Sequence, residues 1–229
     1  MVYLLKRRQI DMEKIHATKG RIMRASFKLF LENGYHNTQI RQIADESDAV
    51  TGSIYHFFRN KEDILRSLIQ PIFDKQYEVC HDSVSVDESP LMQYLVACGV
   101  QLAMCQKHTH LHEIYYLCYT SDELCNEIIE SQTEHLQKCL AYYRSNLTHG
   151  ELFLRCAGIT GAMRNYLGSG IIYKDIDVMD RTVAYASICL HALDIPEEEV
   201  ARLLRCLNGY RRVINDLSDK LIHEISNLM

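Results

Sequence analysis

The chain has 229 residues, a formal net charge of −5, three prolines and ten glycines. It has no run of about 20 apolar residues and no signal-peptide pattern before its first charged residues, so it reads as a soluble cytoplasmic protein with no membrane partner. Residues 1–66 carry 12 Lys and Arg against 8 Asp and Glu, a local charge of +4 that leaves −9 for the rest, as expected of a basic nucleic-acid-binding part on an acidic body.

Helical periodicity runs throughout with no alternating strand pattern, which predicts an all-α fold. A first helix has Ile22, Met23, Phe27, Leu29 and Phe30 as apolar positions, with Ile22, Ser26 and Phe30 following the i, i+4 rule. Lys19, Arg21, Arg24 and Lys28 fall mostly elsewhere on the wheel. Asn33-Gly34 stops this helix, because both residues reach the left-handed C-cap conformation at little cost. Thr38 is the expected N-cap of a second helix, Gln39–Ser47, with Ile40, Ile43 and Ala44 turned inward. A short third helix is expected over Thr51–Phe58.

Two closely crossing helices need a small residue in the first, a left-handed residue about four positions on and an apolar lock about ten on. Ala44, Asp48 and Ile54 stand at that spacing. Asp48 replaces the expected glycine, but Asp tolerates left-handed geometry, so strain of roughly 1 kcal/mol is expected rather than a broken turn. The segment therefore reads as a helix-turn-helix DNA reader, with Thr51–Phe58 as recognition helix. Ser53, Tyr55 and His56 offer hydroxyl and imidazole groups to bases and phosphates, and Lys61 sits just beyond. Thr38, Gln39, Arg41, Thr51 and Gly52 complete the expected DNA face. The plain alternative is a three-helix bundle with ordinary surface charge.

Neighbouring residues weigh against that alternative. The Ala-x-x-x-Leu-Phe run of Ala25 to Phe30 is followed by Asn33-Gly34-Tyr35, Ile43-Ala44, Gly52, Tyr55-His56-Phe57-Phe58 and Lys61-Glu62-x-Ile64-Leu65. Over Ile22–Leu65 this run resembles, without a gap, the N-terminal domain of the TetR family of bacterial transcriptional regulators. The resemblance implies a DNA-binding head over residues 12–66 (motif about 39–58) and a helical effector-binding and dimerisation body over 67–229. It also implies a homodimer, a double-stranded DNA operator, a small-molecule effector of unknown identity and no cofactor. The family usually has Ala-Gly-Val-Ser-Lys through the turn, where this chain has Ser47-Asp48-Ala49-Val50-Thr51. A serine N-cap and a phosphate-touching lysine are thereby lost, and Thr51 is expected to take over the capping. Gln39 replaces a common Thr.

Beyond the head, Lys61–Ser83 reads as one longer helix with Pro71 inside it, expected to kink it or remove one hydrogen bond. Ser83–Ser89 is an expected loop, and Pro90 suits the first turn of a helix to about Lys107. Further helices are expected near 110–119, 122–146, 149–168, 177–193 and 197–227. The last carries Val200, Leu203, Leu207, Tyr210, Ile214, Leu217, Leu221 and Leu228 as one stripe, which must cover its own body or extend a dimer interface.

Helix 149–168 has Ala157, Gly158, Gly161 and Ala162 near its middle, and the next helix, after Gly168-Ser169-Gly170, carries Val183 and Ile188. In the resembled family two helices near the C-terminus pair with their copies from a second subunit, and this pair is the expected dimer interface. The alternative is that the small residues pack within one subunit. An effector pocket, again implied by the family, is expected among Tyr94, Met104, His108, His112, Tyr115, Tyr116, Tyr119 and Tyr142, since aromatic and Met linings suit apolar ligands. Plain core is the alternative for each.

On one continuous helix Cys105, His108 and His112 share a face that could hold a transition metal, although Thr109-His110 reads as a helix junction that would break the alignment. Nine scattered cysteines without a Cys-x-x-Cys pair do not form a disulfide framework and read as small buried hydrophobes. There is no Gly-x-Ser-x-Gly, phosphate-binding Gly loop or His-Glu-x-x-His, so no enzyme is expected. The sequence thus reads as a homodimeric, ligand-responsive repressor. A metal or redox sensor using Cys105, His108 and His112, or a helical interaction protein with impaired DNA binding, are the rivals.

Overall fold

The computed structural model describes residues 2–84, 89–143, 146–169 and 175–227. Among them every regular element is helical: α1 (Val2–Asn33), α2 (Ile40–Ser47), α3 (Thr51–Phe57), α4 (Lys61–Ser83), α5 (Pro90–Lys107), α6 (Thr109–Thr120), α7 (Asp122–Ala141), α8 (His149–Ser169), α9 (Val178–Ala192), α10 (Glu197–Gly209) and α11 (Arg211–Asn227). Residues up to 72, together with those from 224 on, form one compact unit, and residues 73–223 form a second. The division falls inside α4, between Ile72 and Phe73.

Several boundaries differ from the sequence reading for local reasons. The expected helix over 197–227 is two helices. Asn208-Gly209 ends α10, Tyr210 N donates to Leu207 O at 2.9 Å in a tightened last turn, and Ile214 N restarts the ladder on Tyr210 O at 2.8 Å. α7 stops at Ala141, where Tyr142 and Tyr143 donate to Cys139 and Leu140 three residues back. α4 continues through Pro71, which has no N–H to donate to the ladder. Residues 85–88 of the expected loop, and Gly170 and Leu228, lie outside the described residues.

In the first unit α1, α2 and α3 pack on one another. Ile22, Ala25, Phe27 and Phe30 of α1 are buried, as are Ile43 and Ala44 of α2 and Ile54 of α3. The second unit is built around α5, which packs on α6, α7, α9 and α10. From Leu91 to Cys105 every residue of α5 except Gln93 is buried. A Cβ on Gly99 would lie 2.8 Å from both Thr182 Cγ2 and Ile214 Cδ1, so α5 carries glycine where α9 and α11 close on it. The C-terminal stripe is consumed within the chain: Val200, Leu203, Leu207, Ile214, Leu217 and Leu221 are all buried.

Candidate nucleic-acid interface and the helical body

Gly34, at φ 86°, ends α1, and its N–H returns to Phe30 O at 3.1 Å. Asp48 follows α2 at φ 49°, ψ 45°, the left-handed position expected from the spacing. Around it Ala49 N donates to Ala44 O at 3.0 Å and Asp48 N to Asp45 O at 3.4 Å, the paired bonds of a Schellman turn. α3 then starts at Thr51 with Val50 as its N-cap. Thr51 does not take over the capping, because it already lies inside the helix and no side chain bonds the cap.

The outward face of this head carries Gln39 and Arg41 on the α2 side and Thr51, Gly52, Tyr55 and His56 on α3, all exposed, with Ser53 half-buried. Tyr55 is 55% exposed and Val50 73%, so the recognition helix stands clear of its own core. Ile15, Thr18, Val50, Gly52, Ser53, His56 and Phe57 line a shallow cleft beside it.

Two expected DNA contacts are corrected. Thr38 is 1% exposed, and its hydroxyl donates to Gly34 O at 2.8 Å and Leu29 O at 3.1 Å, so it locks the α1–α2 turn rather than facing a ligand. Nor does it cap α2: Gln39 holds that place, and Gln42 Oε1 accepts from Gln39 N at 2.7 Å. Lys61 turns its ammonium onto main-chain carbonyls, donating to Tyr35 O at 2.6 Å and Thr38 O at 2.8 Å, with the Tyr35 ring centroid 4.3 Å away. Next to it, Asn60 Oδ1 accepts from Asp63 N at 2.8 Å and the Asp63 carboxylate accepts from Arg59 N at 3.0 Å, a reciprocal start to α4. That bond from Arg59 holds the Asp63 carboxyl below the usual carboxylate range.

The expected pocket residues other than His108 separate into three groups. Tyr94, Met104, Tyr115 and Tyr119 are buried core. Their phenols are satisfied by glutamines: Tyr115 donates to Gln76 Oε1 at 2.8 Å, Gln101 Nε2 donates to Tyr119 at 3.0 Å, and Gln132 donates to Tyr94. Burial pushes all three phenols well up, so they stay neutral donors or acceptors. Tyr142, 68% exposed beyond the end of α7, belongs to no lining, because α7 ends before it and leaves it on the surface. His112 and Tyr116 are half-buried and stacked, ring centroids 6.1 Å apart at 8°, and His112 Nε2–H donates to Leu167 O at 3.0 Å.

His108 is a helix cap. Its Nδ1 accepts from Leu111 N at 3.2 Å, and burial holds the ring's pKa down. The chain breaks helix there, so Cys105, His108 and His112 do not share one helical face, and no group of three His, Cys, Asp or Glu among the described residues is placed to hold a metal. Seven of the nine cysteines are buried, and burial raises the Cys80 thiol to about 12 and the Cys139 thiol to about 11. Protonated buried thiols are poor nucleophiles and poor metal ligands.

The small residues of α8 face outward. A Cβ on Gly158 or Gly161 would meet nothing within 4 Å, and both glycines are exposed. Leu154 on α8 is 72% exposed and Ile188 on the adjoining α9 is 43% exposed, with Ala157, Ala162 and Val183 half-buried between them. The sequence reading passed over two residues. Arg181 lies in the buried stripe of α9 with Thr182, Tyr185 and Cys189, and His135 is stacked at 4.6 Å on Tyr77. The signal for Arg181 was a charged residue at helical spacing among apolar ones.

A short helix held clear of a three-helix core by a left-handed turn, with exposed polar side chains, is the geometry of a helix-turn-helix head. The profile described as "Bacterial regulatory proteins, tetR family" matches residues 22–68. Over those residues the chain is similar to the DNA-binding head of this family of transcriptional regulators. The fatty acid metabolism regulator protein of Bacillus subtilis (strain 168) is 45% identical over 49 residues, 21% of this chain and 25% of that protein. The regulator HbdR of Aromatoleum sp. (strain CIB) is 39% identical over 64 residues, 28% of each chain. The chain thus aligns over about a quarter of the length of these curated relatives. The fold likeness is longer. The crystal structure of RolR with resorcinol matches with a TM-score of 0.65 at 15% identity, over 84% of this chain and 95% of that one. The FadR regulator of Bacillus subtilis with stearoyl-CoA matches with a TM-score of 0.53 at 21% identity, over 77% and 98%.

Proposed function

We propose that this chain is a ligand-responsive transcriptional repressor that acts as a homodimer on a (pseudo)palindromic operator. The observation that carries the reading is the exposed face of α3, with Tyr55 and His56 outward, in a stretch (residues 1–66) of net charge +4. Tyr55, Gln39 and Arg41 are assigned to phosphates, and Ser53 and His56, with Thr51 and Gly52 allowing close approach, to base edges. One seven-residue helix reads too few base pairs for useful specificity, so two heads about 34–36 Å apart must address successive major grooves. The outward strip Ala157, Gly158, Gly161, Ala162, Val183 and Ile188 supplies the dimer contact, since small residues let helices of two subunits approach closely. The effector site lies in the second unit, in line with the small molecules named in the RolR and FadR structures. Effector binding then shifts the population toward a head separation that misfits the operator.

Selection of bound sequences from a random DNA pool, with and without cell extract, tests this reading. A two-fold-related consensus, lost when extract is present, is the expected result. Recovery of no consensus would reject it. Tyr55→Ala should weaken all sequences about equally, whereas Ser53→Ala or His56→Ala should change which sequence is preferred.

A further inference from the structure

The second unit keeps one arginine inside. Arg181, in the first turn of α9, is only 9% exposed, and its guanidinium donates to the main-chain oxygen of Tyr166 near the end of α8. A guanidinium has five N–H donors and a permanent charge, and among the described residues no carboxylate pairs with it. Asp177, the acidic residue that caps α9, is instead engaged by Arg211 at 2.7 Å and 2.8 Å and by Met179 N at 2.8 Å, and Asp180 is exposed. The C-terminal end of α8 supplies partial negative charge for one donor. It does not answer the planar fork, and a buried charge left without a counter-ion is costly. Burial lowers the pKa of Arg181, while the Cys105 thiol and the Tyr166 phenol beside it act in the opposite sense.

The surroundings suit an amphiphile. His112 takes the next carbonyl of α8, Leu167 O, and lays its ring on Tyr116. Gly168 admits the Tyr116 ring, whose nearest atom would lie 3.4 Å from a Cβ placed there. The Tyr166 ring leans on Tyr185 at 5.5 Å. The Tyr116 hydroxyl makes no hydrogen bond among the described residues, and the residue is half-buried. Among the described residues, one fixed positive charge stands beside these aromatic faces, which fits a monocarboxylate with an apolar or aromatic body. A dianionic phosphate would call for a second cation.

We propose that Arg181 is the anion-recognition residue of the effector site, its fork taking the carboxylate of a ligand whose apolar part packs on Tyr116, Tyr166 and His112. The assignment rests on reading the second unit as ligand-binding. Thermal unfolding of the full chain with matched acid and amide pairs tests it: octanoate and octanamide, benzoate and benzamide, 4-hydroxyphenylacetate and its amide. At least one acid should raise the midpoint, its amide should not, and Arg181→Gln should abolish the acid's effect. Arg181→Lys, which keeps the charge but loses the fork, should bind that acid roughly tenfold more weakly. Amides that stabilise as well as acids, a panel that moves nothing, or Arg181→Gln protein that still responds would each overturn the assignment. If Arg181→Gln does not fold, the acid–amide comparison and Arg181→Lys decide. The assay contains no DNA, so the two readings fail separately. An amide that stabilises the protein and releases DNA removes the anion assignment but keeps the ligand-responsive regulator. Acids acting through Arg181 on a protein that binds no operator do the reverse.

Discussion

The ammonium of Lys61 donates to the carbonyl oxygen of Tyr35, 26 residues earlier, at 2.6 Å, and so ties the start of α4 to the turn that follows α1. With its bonds to Thr38 O at 2.8 Å and, longer, to His36 O at 3.4 Å, it supplies donors to three main-chain oxygens in the turn that leads into α2. A lysine at this place in the motif therefore braces the head from inside.

Lys61→Met should accordingly destabilise the head by about 1–3 kcal/mol, the cost of leaving partly buried carbonyls without donors. Below the melting range, the slope of log affinity against log salt should stay at the wild-type value, because no phosphate contact has been removed. A slope lower by about one unit, with stability unchanged, would return Lys61 to the DNA face.

Asp48 occupies the left-handed position at φ 49°, and its side chain is exposed. Asp48→Gly should stabilise the head by roughly 0.5–1 kcal/mol, since glycine meets no Cβ penalty there and gives back part of the gain as unfolded-chain entropy. Urea unfolding monitored by circular dichroism reads the change. A loss of stability would mean that the Asp48 side chain holds the turn in a way its backbone does not reveal.

The head was legible because its signals are local. Asn33-Gly34, the Ala44–Asp48–Ile54 spacing and the apolar ridge of Ile22, Ser26 and Phe30 each act within a few residues, and each sits where the sequence placed it. Thr38 and Lys61 misled because the long-range partners that turn them inward, Leu29 O and Tyr35 O, are main-chain atoms and carry no sequence signature. The break at Tyr210 was overlooked because the apolar stripe of Leu207, Ile214 and Leu217 keeps helical spacing across it, although Asn208-Gly209 marks the stop. In the second unit, Tyr94, Tyr115 and Tyr119 could not be sorted into core or lining from spacing alone. Their glutamine partners Gln132, Gln76 and Gln101 come from 38, 39 and 18 residues away.

His135 makes stability depend on pH. Its Nε2 is buried with no hydrogen-bond partner, and the ring lies against Tyr77. Burial, and secondarily the positive charge of Lys138, hold its pKa below the ordinary 6.5. The folded state therefore favours neutral His135, and the unfolded chain gains protons first as pH falls. Stability is full above about pH 6.5 and is lost below it, by at most about 1.4 kcal/mol per pH unit. His135→Phe should flatten the fall in thermal midpoint between roughly pH 7 and pH 5, leaving the share of His108, whose pKa is also lowered. Equal slopes in the two proteins would show that His135 is solvated in the native state.

Gly161→Leu separates the two roles open to the small residues of α8. A Cβ at Gly161 or Gly158 meets nothing within 4 Å, so the chain itself accepts a larger side chain, and leucine favours helix over glycine by about 0.8 kcal/mol. The variant should keep its circular dichroism and its thermal midpoint as a monomer. If α8 and α9 form the dimer contact, the same leucine props two subunits apart, and sedimentation at micromolar concentration should show monomers where the parent gives dimers. Specific operator binding should then collapse toward the non-specific level, because a single α3 cannot supply the second half-site. Retention of the dimer in Gly161→Leu, and also in Gly158→Leu, would place the interface elsewhere. It would leave exposed Leu154 and Ile188 without the role their positions suggest.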